Sequence, residues 1–462
     1  MEYGMNLGML RLFKVVVFLL LIQNTYANVK DIEFDLIKKG KEDNNTLLVV
    51  GGIQGDEPGG FMAASLISTH YKITKGSVWV VPNLNFYSII KRGRGHFGDM
   101  NRKFAAILNS DPDFEDVQRV KKYIAHENVK VVLNLHDGSG FYRKTYIDNM
   151  RSPYRWGQSS IIDQAKLDIP MYGNLEEIAN RVCEHVNAHL IDKEHIYNVR
   201  NTNTKAGDKE MEKTLTYFAI NQGKAAFGNE ASKQFPVYKR AYYHILALEE
   251  YMRVMGIEFE RDFELSLNGI KQALYDDIYI SFYDDKIKLP LSTIRPELNY
   301  FPVSKDGKIN FTPSNPLMTV LKNDQEYSIH YGNVRLVSLR PDYFDIDNDK
   351  EEIKLNVDGI TRMVNFGDMV VANKKIFVHD KEGFRVNVIG YTNKNQRNEA
   401  NLEIHKDEIL NYFSVDKEGK IYRIEFYKKD KFAGMILVKF EENISFANNE
   451  SKEKKSTASN TM

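Results

Sequence analysis

The sequence predicts an α/β domain, a mixed and mainly parallel sheet flanked by helices. One or two antiparallel β domains follow, the last of them immunoglobulin-like. Three observations predict this. Between about residues 30 and 255, short apolar runs alternate with amphipathic stretches, the pattern of strand–helix units around a parallel sheet. After about residue 256 the texture becomes polar–apolar alternation rich in Tyr, Phe, Ile and Val, the period of half-buried strands. The chain's 462 residues exceed one core of usual size, so two or three domains are expected.

The first 27 residues read as a secretory signal peptide. Arg11 and Lys14 precede the apolar run Val15–Ile22, and the small residues Thr25 and Ala27 sit at −3 and −1 of a cleavage site. An uncleaved anchor is the alternative, but the run falls well short of the ~20 apolar residues a span needs. Export is therefore expected, with no membrane span after cleavage. Lys+Arg and Asp+Glu each number 63, and a net charge of zero gives no support for a nucleic-acid or anionic-lipid partner. The single cysteine, Cys183, cannot form an internal disulfide. Its helical spacing in "LEEIANRVCEHVNAHLI" suits a buried position, so stability must come from core size or from metal.

Within residues 28–255 the strand runs are "LLVVGG", "GSVWVVPNLN", "VKVVLNLHDGSG" and "KAAFGNEAS". The helical stretches are "GGFMAASLISTHY", "FEDVQRVKKYIAHEN", "NLEEIANRVCEHVNAHL" and "QFPVYKRAYYHILALEEYMRVM". A small β domain is expected over 256–340, a β-sandwich over 341–446 and a polar tail over 447–462. The segment "SLRPDYFDIDNDKEE" is the candidate boundary between the two β domains.

Chemistry gathers directly after the strand-like runs, where open α/β sheets bind ligands. In "GGIQGDEPGG", Gln54 and Glu57 lie three apart at a strand-to-helix turn, a spacing that can aim both side-chain oxygens at one centre. "VVLNLHDGSG" carries His136 and "KAAFGNEAS" carries Glu230. A catalytic zinc takes three protein ligands and keeps one position open. Gln54, Glu57 and His136 would supply one such ion, and Glu230 could take a proton from the attacking water. In "KRGRGHFGDMNRKF", Arg92, Arg94, Asn101 and Arg102 would suit a substrate with a free carboxylate. Each residue alone has a plainer reading: a solvated turn, a structural histidine, a basic surface patch, an ion-paired strand end. His185 and His189 form an i, i+4 pair without an HExxH signature, so a surface helix face fits them better. His96 and His244 read as structural. Trp156, in "SPYRWGQSS", is a cleft-lining candidate or a loop anchor.

Taken in order, G-x-[H]-G-x-E, N-R-x-F, L-H-x-G-S-G and a strand-borne Glu resemble the zinc metallocarboxypeptidases of the carboxypeptidase A type, over about residues 45–250. The first motif departs, with Gln54 where that family has His. With the signal peptide and the β-rich second half, this resembles the cell-shape-determining peptidoglycan DL-carboxypeptidases of helical bacteria, which use a Gln-Glu-His zinc site. The resemblance implies a metallocarboxypeptidase-like fold and a periplasmic enzyme. It implies trimming of stem tripeptide to dipeptide by removal of terminal meso-diaminopimelate. It makes Gln54, Glu57 and His136 zinc ligands and Glu230 the general base. Asn101 and Arg102 would hold the terminal carboxylate, and Arg94, or else Arg92, would polarise the scissile carbonyl. Tyr217 is a weak match to the family's tyrosine that closes over substrate. The muropeptide is the implied partner, with cell-shape proteins as partners of the β domains. Two rivals share the motifs: an amidohydrolase of the succinylglutamate desuccinylase type, and a catalytically silent muropeptide-binding wall protein. A neutral amide is a weaker donor than imidazole, so Gln54→His is expected to bind zinc more tightly.

Overall fold

Strands β1 (Ile37–Gly40), β2 (Thr46–Val50), β3 (Ser77–Val81), β4 (Val129–Gly138), β5 (Ser159–Ile162), β6 (Asn198–Asn201) and β7 (Ala225–Ser232) form one sheet, in the order β1-β3-β2-β4-β7-β5-β6. The computed structural model describes residues 32–392 and 396–441, and the expected signal peptide and polar tail lie outside them. Strands β3, β2, β4 and β7 run parallel, β1 is antiparallel to β3, and β5 is antiparallel to β7. The sheet is mixed with a parallel centre, as expected. Strands covered on both faces need apolar residues at every position, and Leu47, Leu48, Val49 and Val50 are all fully buried. Each such side chain contributes roughly 1.5–3 kcal/mol relative to exposure.

Among the described residues, helices α1 (Pro58–His70), α2 (Phe114–Ala125), α3 (Leu175–Ala188), α4 (Leu215–Asn221) and α5 (Val237–Val254) flank this sheet. Pro58 opens α1, where its missing N–H costs nothing. The glycines before and inside α1 let backbones meet. A Cβ on Gly55 would lie 2.1 Å from the Ser88 carbonyl carbon, and one on Gly59 would lie 2.4 Å from Asp137 Oδ1. Cys183 is buried on α3, as its spacing predicts, and burial pushes its thiol up to about 12.

Contacts divide the chain into two units. The first holds the residues up to Leu274 with Asn315–Leu317 and Gly332–Val334, and the second holds Tyr275–Ser314, Met318–Tyr331 and everything from Arg335. The second unit is built of strands. Tyr279–Phe282, Ile287–Pro290 and Phe311–Pro313 make a three-stranded antiparallel sheet. Ile421–Lys428 and Lys431–Phe440 form a long hairpin within an eight-stranded sheet. Parallel pairings also occur, among them Glu297–Ser304 beside Val334–Ile346. A four-stranded sheet holds Ile360–Asn365, Glu352–Val357, Lys375–Val378 and Glu403–His405. Leu355, Val378, Ile424, Phe426, Ile436 and Val438 belong to one buried cluster joining these sheets.

One carboxylate in this unit makes its stability pH-dependent. Glu399 is buried, and desolvation raises it to about 7, although its carboxylate accepts from the Val388 N–H. A carboxyl whose folded pKa is raised contributes stability below its unfolded value and loses it as pH climbs through the folded one. Glu399→Gln is therefore expected to stabilise the unit at pH 8 by on the order of 1–2 kcal/mol, and not at pH 4.5. Thermal unfolding at the two pH values checks it, and an equal gain at both would contradict it.

Candidate active site

The carboxyl ends of the four parallel strands share one edge, and the loops leaving them carry the candidate residues. Residue pairing across β4 and β7 puts His136 opposite Glu230, and paired residues on parallel strands face the same way. The next residue, Asp137, faces the opposite side. There it accepts from the Gly59 N–H (2.7 Å), Arg240 Nη1 (3.0 Å) and His244 Nε2 (3.2 Å). This tie fixes α1 and α5 to β4, and with them the height at which Glu57 and His136 meet. His244 is thus structural, as the sequence suggests, and also bonds Asn229 Nδ2 through Nδ1 at 2.9 Å.

On the cleft side, His136 Nδ1 lies 2.8 Å from Glu57 Oε2 and 3.1 Å from Gln54 Oε1. The Asp137 N–H donates to the same Glu57 oxygen at 3.2 Å. An imidazole nitrogen carries at most one hydrogen, and here two oxygens compete for it. A divalent cation in its place would satisfy both oxygens and the nitrogen lone pair at once. The donor set, one neutral nitrogen, one carboxylate and one amide oxygen, therefore fits a metal. Among the described residues, no three His, Cys, Asp or Glu side chains surround one point. Here the third donor is an amide.

Glu230 sits beside this locus, and one of its oxygens, Oε2, is buried without a hydrogen-bond partner. Burial pushes the carboxyl up to about 7, against the pull of His136. A buried carboxylate with a free oxygen beside a cation locus can hold and release a proton near neutral pH.

A cleft of about 270 Å³ opens over these groups. Gln54, Glu57, Arg94, Asn101, Arg102, His136, Trp156 and Glu230 all line it. Arg94 approaches Glu57 Oε1 at 3.5 Å and donates through Nε to Asp99 Oδ2 at 3.0 Å, with its side chain half exposed. Asn101 Oδ1 accepts from the Leu215 N–H at 3.0 Å, which anchors it to the start of α4. Arg102 lies 3.6 Å from Glu210 and donates to the Asn101 carbonyl at 3.2 Å. Trp156 lies under the Arg200 guanidinium, 3.6 Å from its ring centroid.

Two expectations need correction. Arg92 does not line the cleft: its backbone turns left-handed (φ 57) and its Nε donates to the Asn333 carbonyl at 2.7 Å. Tyr217 is not in the lining either. Thr214, which caps α4, and Thr216 face the cleft in its place. His185 and His189 lie on the α3 end, where His189 Nδ1 meets the His185 carbonyl at 2.9 Å.

Sequence reasoning missed Asp99 and Lys233. Lys233 reaches Asp56 at 2.9 Å and Glu57 at 3.5 Å, balancing the acidic loop. Asp99 Oδ1 accepts from Gln54 Nε2 at 2.8 Å and from the Asn101 N–H at 3.0 Å. Burial opposes its ionisation, but Gln54, Arg94 and Arg102 outweigh burial and hold Asp99 below the usual carboxylate range. By taking the amide hydrogens, Asp99 turns Gln54 Oε1 towards His136. The only trace in the sequence is its place two residues before Asn101. Asp99→Asn would allow either amide face to turn inward, and is expected to weaken metal affinity by about 10–100-fold. Titration of the apoprotein with metal checks this, and unchanged affinity would contradict it.

The edge of the sheet and the three convergent donors define the class, a metal-dependent hydrolase whose cleft is rimmed by cations. Comparison with known proteins narrows it. A family model described as "Carboxypeptidase controlling helical cell shape catalytic" matches residues 10–275. A model of the "beta-barrel domain of carboxypeptidase M99" matches 278–345, and one of the "C-terminal domain of metallo-carboxypeptidase" matches 346–441. The chain belongs to this family of cell-shape-controlling metallo-carboxypeptidases, which implies a bound metal ion. No curated protein matches it significantly. Among solved structures it is similar to the cell shape determinant Csd4 of Helicobacter pylori. The product-bound and tripeptide-bound crystal structures are each 41% identical, covering 88% of this chain and 100% of that one, with TM-score 0.81. The mDAP-bound form, described as a D,L-carboxypeptidase, is 42% identical over the same shares, also with TM-score 0.81.

Proposed function

We propose that the chain is a zinc-dependent D,L-carboxypeptidase that trims peptidoglycan stem tripeptides to dipeptides, releasing terminal meso-diaminopimelate and so influencing cell shape. The observation that carries this reading is the meeting of Gln54, Glu57 and His136 beside the unpartnered oxygen of Glu230. The tripeptide- and mDAP-bound forms of the 41–42% identical Csd4 support the substrate. Family membership and the apolar run Val15–Ile22 support a periplasmic location. Among the described residues, no helix is long and apolar enough to cross a membrane.

Gln54, Glu57 and His136 would hold one zinc ion, which when bound supplies Lewis-acid polarisation of the scissile carbonyl and a more acidic water. Glu230 takes a proton from the attacking water as its oxygen bonds to the carbonyl carbon. The same carboxyl then gives that proton to the departing nitrogen as the C–N bond breaks. Arg94 faces the oxygen on which negative charge develops. Asn101 and Arg102 bind the free carboxylate, which restricts cleavage to the chain end, and Trp156 walls the cleft. The family assignment favours this over a desuccinylase-type amidohydrolase. Glu230 favours it over a silent receptor, which gains nothing from a buried carboxylate with an unpaired oxygen.

Purified protein incubated with muramyl tripeptide tests the reading. Release of free diaminopimelate, abolished by chelation and restored by zinc, is expected. Binding without release would support the receptor.

A further inference from the structure

The β unit contains a cavity of about 220 Å³ that hydrolysis does not use, with Arg295, Asn299, Tyr412, Ser414 and Arg423 in its lining. Arg423 is 1% exposed. Its Nη2 donates to the Asn299 carbonyl (2.8 Å) and its Nη1 to the Tyr300 carbonyl (3.4 Å), with Glu425 Oε1 also 3.4 Å from Nη1. Its Nε–H has no partner. A buried guanidinium with an unmet donor is an unusual feature that calls for an acceptor.

Arg295 adds a second cation. Among the described residues it donates to neutral acceptors alone: Ser414 Oγ (2.7 Å) and the carbonyls of Asp416 (3.0 Å) and Asn411 (3.0 Å). The nearby carboxylates are already taken, Glu297 by Arg340 at 2.9 Å and Glu425 by Arg423. Among the described residues Arg295 makes no ion pair.

An exposed tyrosine, Tyr412, lines the cavity, and a strained backbone lies beside Arg423. The strand Glu297–Ser304 slips register between Leu298 and Phe301, and Tyr300 there takes φ 56. A left-handed tyrosine costs on the order of 1–3 kcal/mol, and such strain persists at sites of function. Tyr300 is 60% exposed, and the bulge aims the two carbonyls that hold Arg423. Tyr412 is 67% exposed, and its hydroxyl accepts from Asn299 Nδ2 at 3.2 Å. Rings of this kind present an apolar face with a polar tip, suited to the face of a sugar.

We propose that this cavity is a non-catalytic site for amino sugars of the cell-wall glycan whose lactyl carboxylate has been freed of its stem peptide. Arg295 and Arg423 take the carboxylate, and Tyr412 packs against the ring. The proposal rests on the wall-directed reading above. Holding the enzyme on an insoluble polymer raises the local concentration of stems around the hydrolytic cleft.

The test uses the full chain, co-sedimentation with insoluble peptidoglycan sacculi partly stripped of stems by an amidase, and turnover of soluble muramyl tripeptide in parallel. Tyr412→Ala removes an exposed ring and leaves the core untouched, whereas Arg295→Gln removes the charge. Both are expected to lower retention on sacculi about fivefold or more, with soluble turnover within about twofold of wild type. N-acetylmuramic acid should displace the wild type and N-acetylglucosamine, which lacks the carboxylate, should not. Unchanged retention in Tyr412→Ala, or equal displacement by both sugars, overturns the proposal. If the wild type fails to turn over soluble tripeptide, the carboxypeptidase reading itself fails, a result separable from the loss of the second site.

Discussion

Replacing Glu230 with Gln is expected to lower kcat on muramyl tripeptide by about a thousandfold, with KM changed by no more than a few-fold. The substitution keeps the shape of the side chain in β7 and its pairing with His136. It removes the one buried carboxylate at the locus whose Oε2 has no partner and can accept the proton of the attacking water. The pH profile gives a second reading. Burial raises Glu230 to about 7, and the positive charge of a bound cation would draw it back down, since a nearby cation favours the ionised form. A base must be ionised to act. The wild type is therefore expected to lose kcat/KM as pH falls through an acidic limb below about 7, and the residual activity of Glu230→Gln is expected to lack that limb. A limb that persists in the variant would assign the base elsewhere.

Glu57→Ala is expected to abolish activity and to strip the protein of metal. Glu57 Oε2 faces His136 Nδ1 and the Asp137 N–H, while Oε1 lies 3.5 Å from both Arg94 and Lys233. Its loss takes the only negative charge from the donor set and leaves two cations directed at the place a third would occupy. At ordinary concentrations metal content by elemental analysis should fall to near zero, with far-ultraviolet circular dichroism unchanged. Gln54→Ala removes a neutral donor and should lose less. Gln54→His should gain, because Asp99 is placed to accept from an imidazole as it does from the amide, a carboxylate–histidine–metal arrangement. Full metal occupancy in Glu57→Ala would refute the ligand assignment.

The parallel sheet and the convergence of loops at its carboxyl edge are legible because they follow local rules. Unbroken apolar runs such as "TLLVV" must be covered on both faces, and chemistry placed just after them lands on one edge. Gln54, Glu57, His136 and Glu230 all stand at such positions, and all four line one cleft. Choosing between Arg92 and Arg94 depends on something no local rule contains. Arg92 turns away because it meets the carbonyl of Asn333, 241 residues further along the chain. Asp99 and Lys233 were missed for a related reason: each acts on a neighbour's side chain, and such pairings leave no periodicity. The parallel pairings of the β unit are equally silent, since alternation reports which face of a strand is buried and not the direction of its neighbour. The bulge at Tyr300 interrupts a strand whose composition gives no sign of it.

The most direct test of the central claim combines elemental analysis with the muramyl tripeptide assay on one preparation. One zinc per chain is expected, with release of diaminopimelate that stops when the metal is chelated and resumes when zinc is returned. Full release from metal-free protein would contradict it.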